Sequence, residues 1–271
     1  MPDMNALPKT LTEAAATVLD TPHEKVALTF LYSRLWRDGG LSDIGTPQLR
    51  ERPARPEKPQ LLSPGKMPKR KASGSLENRT ALLHALAHIE LNAIDLAWDI
   101  IARFPQHFSQ KAFYDDWVQV ADDEARHFES LENRLKSWDS HYGALPAHDG
   151  LWQAAQETSD DPMARLALVP MLLEARGLDV TPTTVEKIRH SQDHETADLL
   201  HQIFLDEISH VAIGTKWFKY LASERKIDPI STWQDLVKQR FKGDLKPPFN
   251  DEARQKAGME ADFYQNFEKA R

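Results

Sequence analysis

The sequence predicts an all-α fold, an antiparallel four-helix bundle extended at both ends, and three observations carry that prediction. Four long segments repeat apolar residues at three- and four-residue spacing. The alternating patterns and hairpin turns of β structure are missing. A stretch crowded with prolines separates the four segments from a shorter helical region at the N-terminus.

Taken in order, residues 10–20 and 22–37 read as two helices, the second ended by Gly39 and Gly40. From Thr46 to about Ser75 the prolines at 47, 53, 56, 59, 64 and 68 predict an extended strap over the surface. The four bundle helices follow at 76–104, 110–137, 162–176 with a continuation at 182–192, and 194–222. Within the third, GLDVTP at 177–182 predicts a break: Gly177 frees the backbone, and Thr181 before Pro182 makes an N-cap and first helical residue. Residues 138–160 form a long connection with a short helix near 150–156, the kind of segment that often covers something. A helix near 232–241, a KPPFN turn at 246–250 and a terminal helix from 251 complete the chain. Residues 1–75, 76–225 and 226–271 are thus expected as an N-terminal helical segment with strap, the bundle, and a C-terminal helical extension.

Composition narrows the chemistry. With 271 residues the chain can bury a substantial core. The absence of cysteine excludes disulfides, zinc-thiolate sites, iron-sulfur clusters and a catalytic thiol, so any metal must be held by nitrogen and oxygen. A net charge of −7 gives no overall reason to expect nucleic acid or anionic membrane as a partner. The run KMPKRK at 66–71 is the local exception, readable as a solvated linker or as a phosphate-binding patch. No segment has the length of apolar sequence a membrane span needs, and no signal-peptide pattern opens the chain, so a cytoplasmic protein is expected.

The chemistry sits on the bundle helices. Leu83, Leu86, Ala87, Ile94, Ala97 and Ile101 mark the inward stripe of the first, and Glu90 falls in its middle. Trp117, Val120, Ala121, Phe128 and Leu131 mark that of the second, which also contains Glu124 and His127, one turn apart. Leu166, Ala167 and Pro170 lead to Glu174 in the third, and Glu207 and His210 share a face with Leu200, Ile203, Val211 and Trp217 in the fourth. A lone E-x-x-H is commonly a solvated helix face. Here two such pairs alternate with two single glutamates, all on apolar faces, with 34 residues from Glu90 to Glu124 and 33 from Glu174 to Glu207.

Four buried carboxylates repel one another and cost several kcal/mol each if unpaired, so a cation must compensate them. Two metal ions do so. Glu plus Glu-x-x-His supplied twice by four helices is a dinuclear carboxylate ligand set, and its donors suit iron, manganese or a mixed manganese and iron pair. The expected metal ligands are Glu90, Glu124, His127, Glu174, Glu207 and His210, with Glu124 and Glu207 preferred as bridges. Of the remaining candidates, His84, His88 and Asp95 are read as surface residues or as supports of the ligands. Arg176 and Asp179 are read either as a pair fixing Glu174 or as a cap, and Tyr114 as core or rim.

The runs HALAHIELNAIDLAWD (84–99), DEARHF (123–128), LLEARGLDVTP (172–182), DEISHV (206–211) and PFNDEAR (248–254) resemble the DUF455 ferritin-like proteins, from about residue 51 through the C-terminal region. The resemblance implies a ferritin-like fold with those six residues as ligands. A more distant similarity, limited to the ligand pattern, is to the di-iron tRNA hydroxylases.

The function expected is a dinuclear iron oxidoreductase that activates O2 to oxidise or hydroxylate a substrate, its partners being O2, a small molecule and an electron donor. The alternatives are a ferroxidase or iron-handling protein and a bundle that metal merely stabilises. Within the enzyme class RNA hydroxylation is the runner-up, with KMPKRK as its support.

Overall fold

A computed structural model describes residues 7–67, 74–265 and 267, and it is all-α, without a β-strand among these residues. Most of KMPKRK, from Pro68 onward, lies outside the described residues. The chain forms two compact units, one ending at Trp152 and the other beginning at Gln153.

The first unit contains α1 (Leu11–Asp20), α2 (Lys25–Arg37), α3 (Leu76–Arg103) and α4 (Lys111–Lys136). α3 and α4 form its central hairpin. Phe104 and Pro105 end α3, because proline cannot continue the hydrogen-bond ladder and disfavours helical backbone before it. Phe108 stacks on Phe113 across the turn at 3.7 Å between ring centroids. Tyr114 is core, as expected: its hydroxyl donates to the carbonyl of Phe108 at 2.7 Å, and burial pushes its pKa up to about 12.

From Glu90 to Phe104 α3 is buried on every side, not along one stripe. Its second face is polar and also follows helical spacing: His84, His88, Asn92, Asp95, Asp99 and Arg103. α1, α2 and the strap cover it. Lys25 and Arg55 both pair with Asp95, Arg103 pairs with Asp99 at 2.8 Å, and Trp98 donates to Thr29 Oγ1 at 3.0 Å. The strap is thus held by Arg55 on Asp95, by backbone bonds from Gln48 N to Ala102 O and Ala54 N to Leu19 O, and by the buried Pro53 and Pro59. It also pairs with the 138–149 connection, Leu62 N donating to Ala147 O at 2.8 Å and Ala147 N to Gln60 O at 3.0 Å.

The second unit holds α6 (Pro162–Leu168), a π-helical segment Val169–Glu174, α7 (Ala175–His190), α8 (His194–Arg225), α9 (Pro229–Arg240) and α10 (Asp251–Lys256); α5 (Gly150–Glu157) straddles the boundary. The terminal helix expected from 251 is thus only six residues long. α7 and α8 form the second hairpin, joined at Ser191–Asp193, where Asp193 caps α8 by accepting from Thr196 N.

The expected break at 177–182 is not there. α7 runs through with Pro182 inside it, and the irregularity lies upstream in the π-helical turn containing Pro170. Pro182 has no N–H for the carbonyl of Leu178, which would leave that acceptor orphaned. Asn250 supplies the missing donor, its Nδ2 reaching Leu178 O at 3.1 Å. The same loop is fixed by Asn250 N to Asp179 Oδ1 at 3.0 Å and by a buried two-pronged pair, Arg254 Nε and Nη2 on Asp179 at 2.8 and 2.7 Å. Arg176 donates to the carbonyls of Lys246 and Pro248. Arg176 and Asp179 thus anchor the C-terminal segment. The π-turn has its own close partner: a Cβ on Gly214 would lie 2.4 Å from the Pro170 ring, so α8 approaches at that point only with glycine.

Replacing Asn250 by alanine is expected to cost about 1–3 kcal/mol of unfolding free energy in urea, the price of an orphaned buried carbonyl and a lost cap on α10. In a Pro182→Ala background, where the helix supplies its own N–H, the same change costs less. Equal losses in both backgrounds would contradict the assignment.

Candidate metal centre

In the first unit Glu90, Glu124 and His127 come together as expected. Each contributes a ligand atom within 4.8 Å of the other two. His127 Nδ1 lies 3.5 Å from Glu90 Oε2 and 3.4 Å from Glu124 Oε2, and side-chain exposure is 5% for the histidine, 6% for Glu90 and nil for Glu124. Ala87 and Ile94 on α3, and Ala121 and Leu131 on α4, lie one turn from these ligands and are fully buried. Two carboxylates and an imidazole therefore meet in a dry space.

In the second unit Glu207 and His210 are neighbours on α8, with His210 Nδ1 3.5 Å from Glu207 Oε1. His210 is buried and Glu207 half-buried. Glu174 closes the π-helical turn and is also half-buried. These three do not gather to within 4.8 Å of one another as the first three do. A π-turn displaces the residues after it by one position round the helix, and such turns are common at functional sites.

The first trio has the ligand types of a cation site, and without a cation its charges are balanced by protons. Burial, and then the charge of Glu124, raise the Glu90 pKa well above the ordinary carboxylate value. Burial alone would pull His127 down, but hydrogen bonds and charge from Glu124 and Glu90 outweigh it and hold the ring charged to about pH 11. Without metal the cluster keeps protons that an exposed cluster would lose. Glu90 Oε2 is buried, and its polar neighbour His127 Nδ1 lies at the long distance of 3.5 Å. An oxygen so placed, beside a second carboxylate and an imidazole, fits a divalent or trivalent ion with nitrogen and oxygen ligands.

His84 and His88 are not at the surface. Both are buried and hold the 138–149 connection: His84 Nε2 accepts from Gly143 N at 2.9 Å, while His88 Nδ1 meets Tyr142 Oη at 2.7 Å and its Nε2 faces the His148 carbonyl at 3.1 Å. Burial, and next the Arg55 charge, lower the His88 pKa to about 3, so the ring is neutral. Its proton sits on Nε2, toward the carbonyl, and Nδ1 accepts from Tyr142. The signal for this arrangement was the helical spacing of the polar residues themselves.

The match to a family model settles the grouping: it covers residues 18–265 and is described as a protein of unknown function (DUF455). The chain belongs to the DUF455 family. A relative in Haemophilus influenzae, described as an uncharacterized protein, is 41% identical over 209 residues, which is 75% of this chain and 72% of the relative. No solved structure matches. All six sequence-derived ligands lie within the span that matches DUF455.

The titrations set a pH dependence. Glu90 keeps its proton above the 4.5 at which it ionises when unfolded, and His127 keeps its proton above 6.5. Both bind more protons folded than unfolded, so the metal-free protein is expected to lose stability as pH rises, His127 contributing from about 6.5 toward about 11. Glu90→Gln should flatten that slope and stabilise the metal-free protein at the alkaline end. Urea unfolding across pH checks both; a stability that rises with pH in the metal-free protein would contradict the cluster's protonation.

Proposed function

We propose that this DUF455 protein is a cytoplasmic, ferritin-like non-haem dinuclear oxidoreductase, with iron or a manganese and iron pair, that uses O2 to oxidise or hydroxylate a small-molecule substrate. The observation that carries the reading is the buried trio Glu90, Glu124 and His127, whose ligand atoms lie within 4.8 Å of one another. The second unit supplies a matching Glu207 and His210 pair and Glu174. Six ligands in the pattern Glu, Glu-x-x-His, twice, suit two ions.

When bound, such a pair of ions supplies the electron transfers for O2 reduction and substrate oxidation. The chain's own residues prepare the site. Glu90 and Glu124 provide negative charge that desolvation makes costly to leave uncompensated, which favours cation uptake. His127 must release its Nδ1 proton to act as a ligand, so loading expels protons and tightens as pH rises. The apolar neighbours Ala87, Ile94, Ala121 and Leu131 exclude water from the carboxylates.

No helix among the described residues is long and apolar enough to cross a membrane. The tRNA reading has only the basic run in its favour, and the net charge of −7 disfavours it.

Protein purified under low oxygen is expected to carry about two iron or manganese atoms per chain by inductively coupled plasma mass spectrometry. Both Glu124→Ala and Glu207→Ala should lose them. O2 uptake with an oxidised organic product supports the enzyme, and uptake with Fe(III) as the only product assigns iron handling instead. Metal well below one atom per chain that survives both substitutions overturns the site and the function together.

A further inference from the structure

The first unit contains a second feature to which the metal chemistry assigns no role. A cavity of about 240 Å³ opens beside the first turn of α2, and its walls are divided by chemistry. Leu91, Phe128 and the ring of Tyr142 make one side apolar and aromatic, while Lys58 and His23 supply the accessible polar positions; Lys25 also lines it, but its Nζ is buried on Asp95 and the Ala54 carbonyl. No carboxylate lines it.

At its floor Lys25 and Arg55 both pair with Asp95, two cations on one carboxylate, with side-chain exposures of 1%, 14% and nil. Holding two buried cations on one carboxylate is costly, and burial with the Arg55 charge lowers the Lys25 pKa accordingly. The first two residues of α2, Lys25 and Val26, also line the cavity, and no side chain caps that helix. The unsatisfied N–H groups of its first turn add partial positive charge to the same region. Tyr142 is held in place by its bond to His88, so the aromatic wall is preorganised.

We propose that this cavity binds a small organic anion, its carboxylate or phosphate toward Lys58, His23 and the first turn of α2 and its apolar body against Leu91, Phe128 and Tyr142. The size suits an acid of about ten non-hydrogen atoms. Binding needs no metal.

Isothermal titration of the full chain, as purified, with phenylacetate, phenyl phosphate and the neutral phenylacetamide tests the inference. One acid is expected to bind once per chain and at least about tenfold more tightly than the amide, as expected for a charge-assisted contact. Whichever acid binds more tightly identifies the acid group. Lys58→Ala should weaken that acid about three- to tenfold. Val26→Trp, which fills the cavity from the helix and leaves the Lys25–Asp95 pair intact, should abolish binding while metal content stays unchanged. Equal affinity for acid and amide, no binding at 10 mM, or an affinity untouched by both variants overturns the proposal. A failed titration with full metal content refutes the cavity and leaves the metal centre standing.

Discussion

Two carboxylates and a histidine share a buried space only by holding protons or taking up a cation, and much of the first unit's design follows from that constraint. Placing Glu90 on the side of α3 that meets α4 commits that face to the cluster. The rest of the helix must then be covered by other parts of the chain. Its opposite face carries its own ionisable residues, so the covering segments bring cations. Lys25 from α2 and Arg55 from the strap meet Asp95, and the 138–149 connection closes over His84 and His88. Segments that look like appendages in the sequence are thereby part of the core. Removing one would expose or orphan a charge, at a cost of several kcal/mol.

The second unit solves a different problem with similar means. A proline inside α7 would normally end or kink the helix, yet the C-terminal loop donates the missing hydrogen bond through Asn250 and locks in place through Arg254 on Asp179. Upstream, Pro170 sits in a widened turn against Gly214, with Glu174 at its end. A ligand on a π-turn differs from one on regular helix in how it can move. That asymmetry separates Glu174 from its counterpart Glu90, which sits on uninterrupted α-helix.

The parts legible in the sequence are those set by local spacing. The four long helices, the short helix at 150–157 and the E-x-x-H pairs all follow from three- and four-residue periodicity, as does the meeting of Glu90 with Glu124 and His127 across a hairpin. Other features depended on distant partners and could not be read locally. Pro182 signals a break unless a residue 68 positions later supplies its missing donor. The stripe from His84 to Arg103 has the look of a solvated face because many of its partners lie far away in the sequence, in α2, the proline-rich strap and the 138–149 connection. The π-turn has no clear signature beyond Pro170, and Gly214, which it requires, lies on another helix.

The central claim is that the buried trio is a metal site. Anomalous diffraction from crystals of protein purified under low oxygen, with data on both sides of the iron and manganese absorption edges, addresses it most directly. The account predicts an anomalous peak within about 2.5 Å of an oxygen of Glu124 and of His127 Nδ1, the reach of a metal–ligand bond. Ordered water in that space with no anomalous signal, and His127 still bonded to both carboxylates, would contradict it.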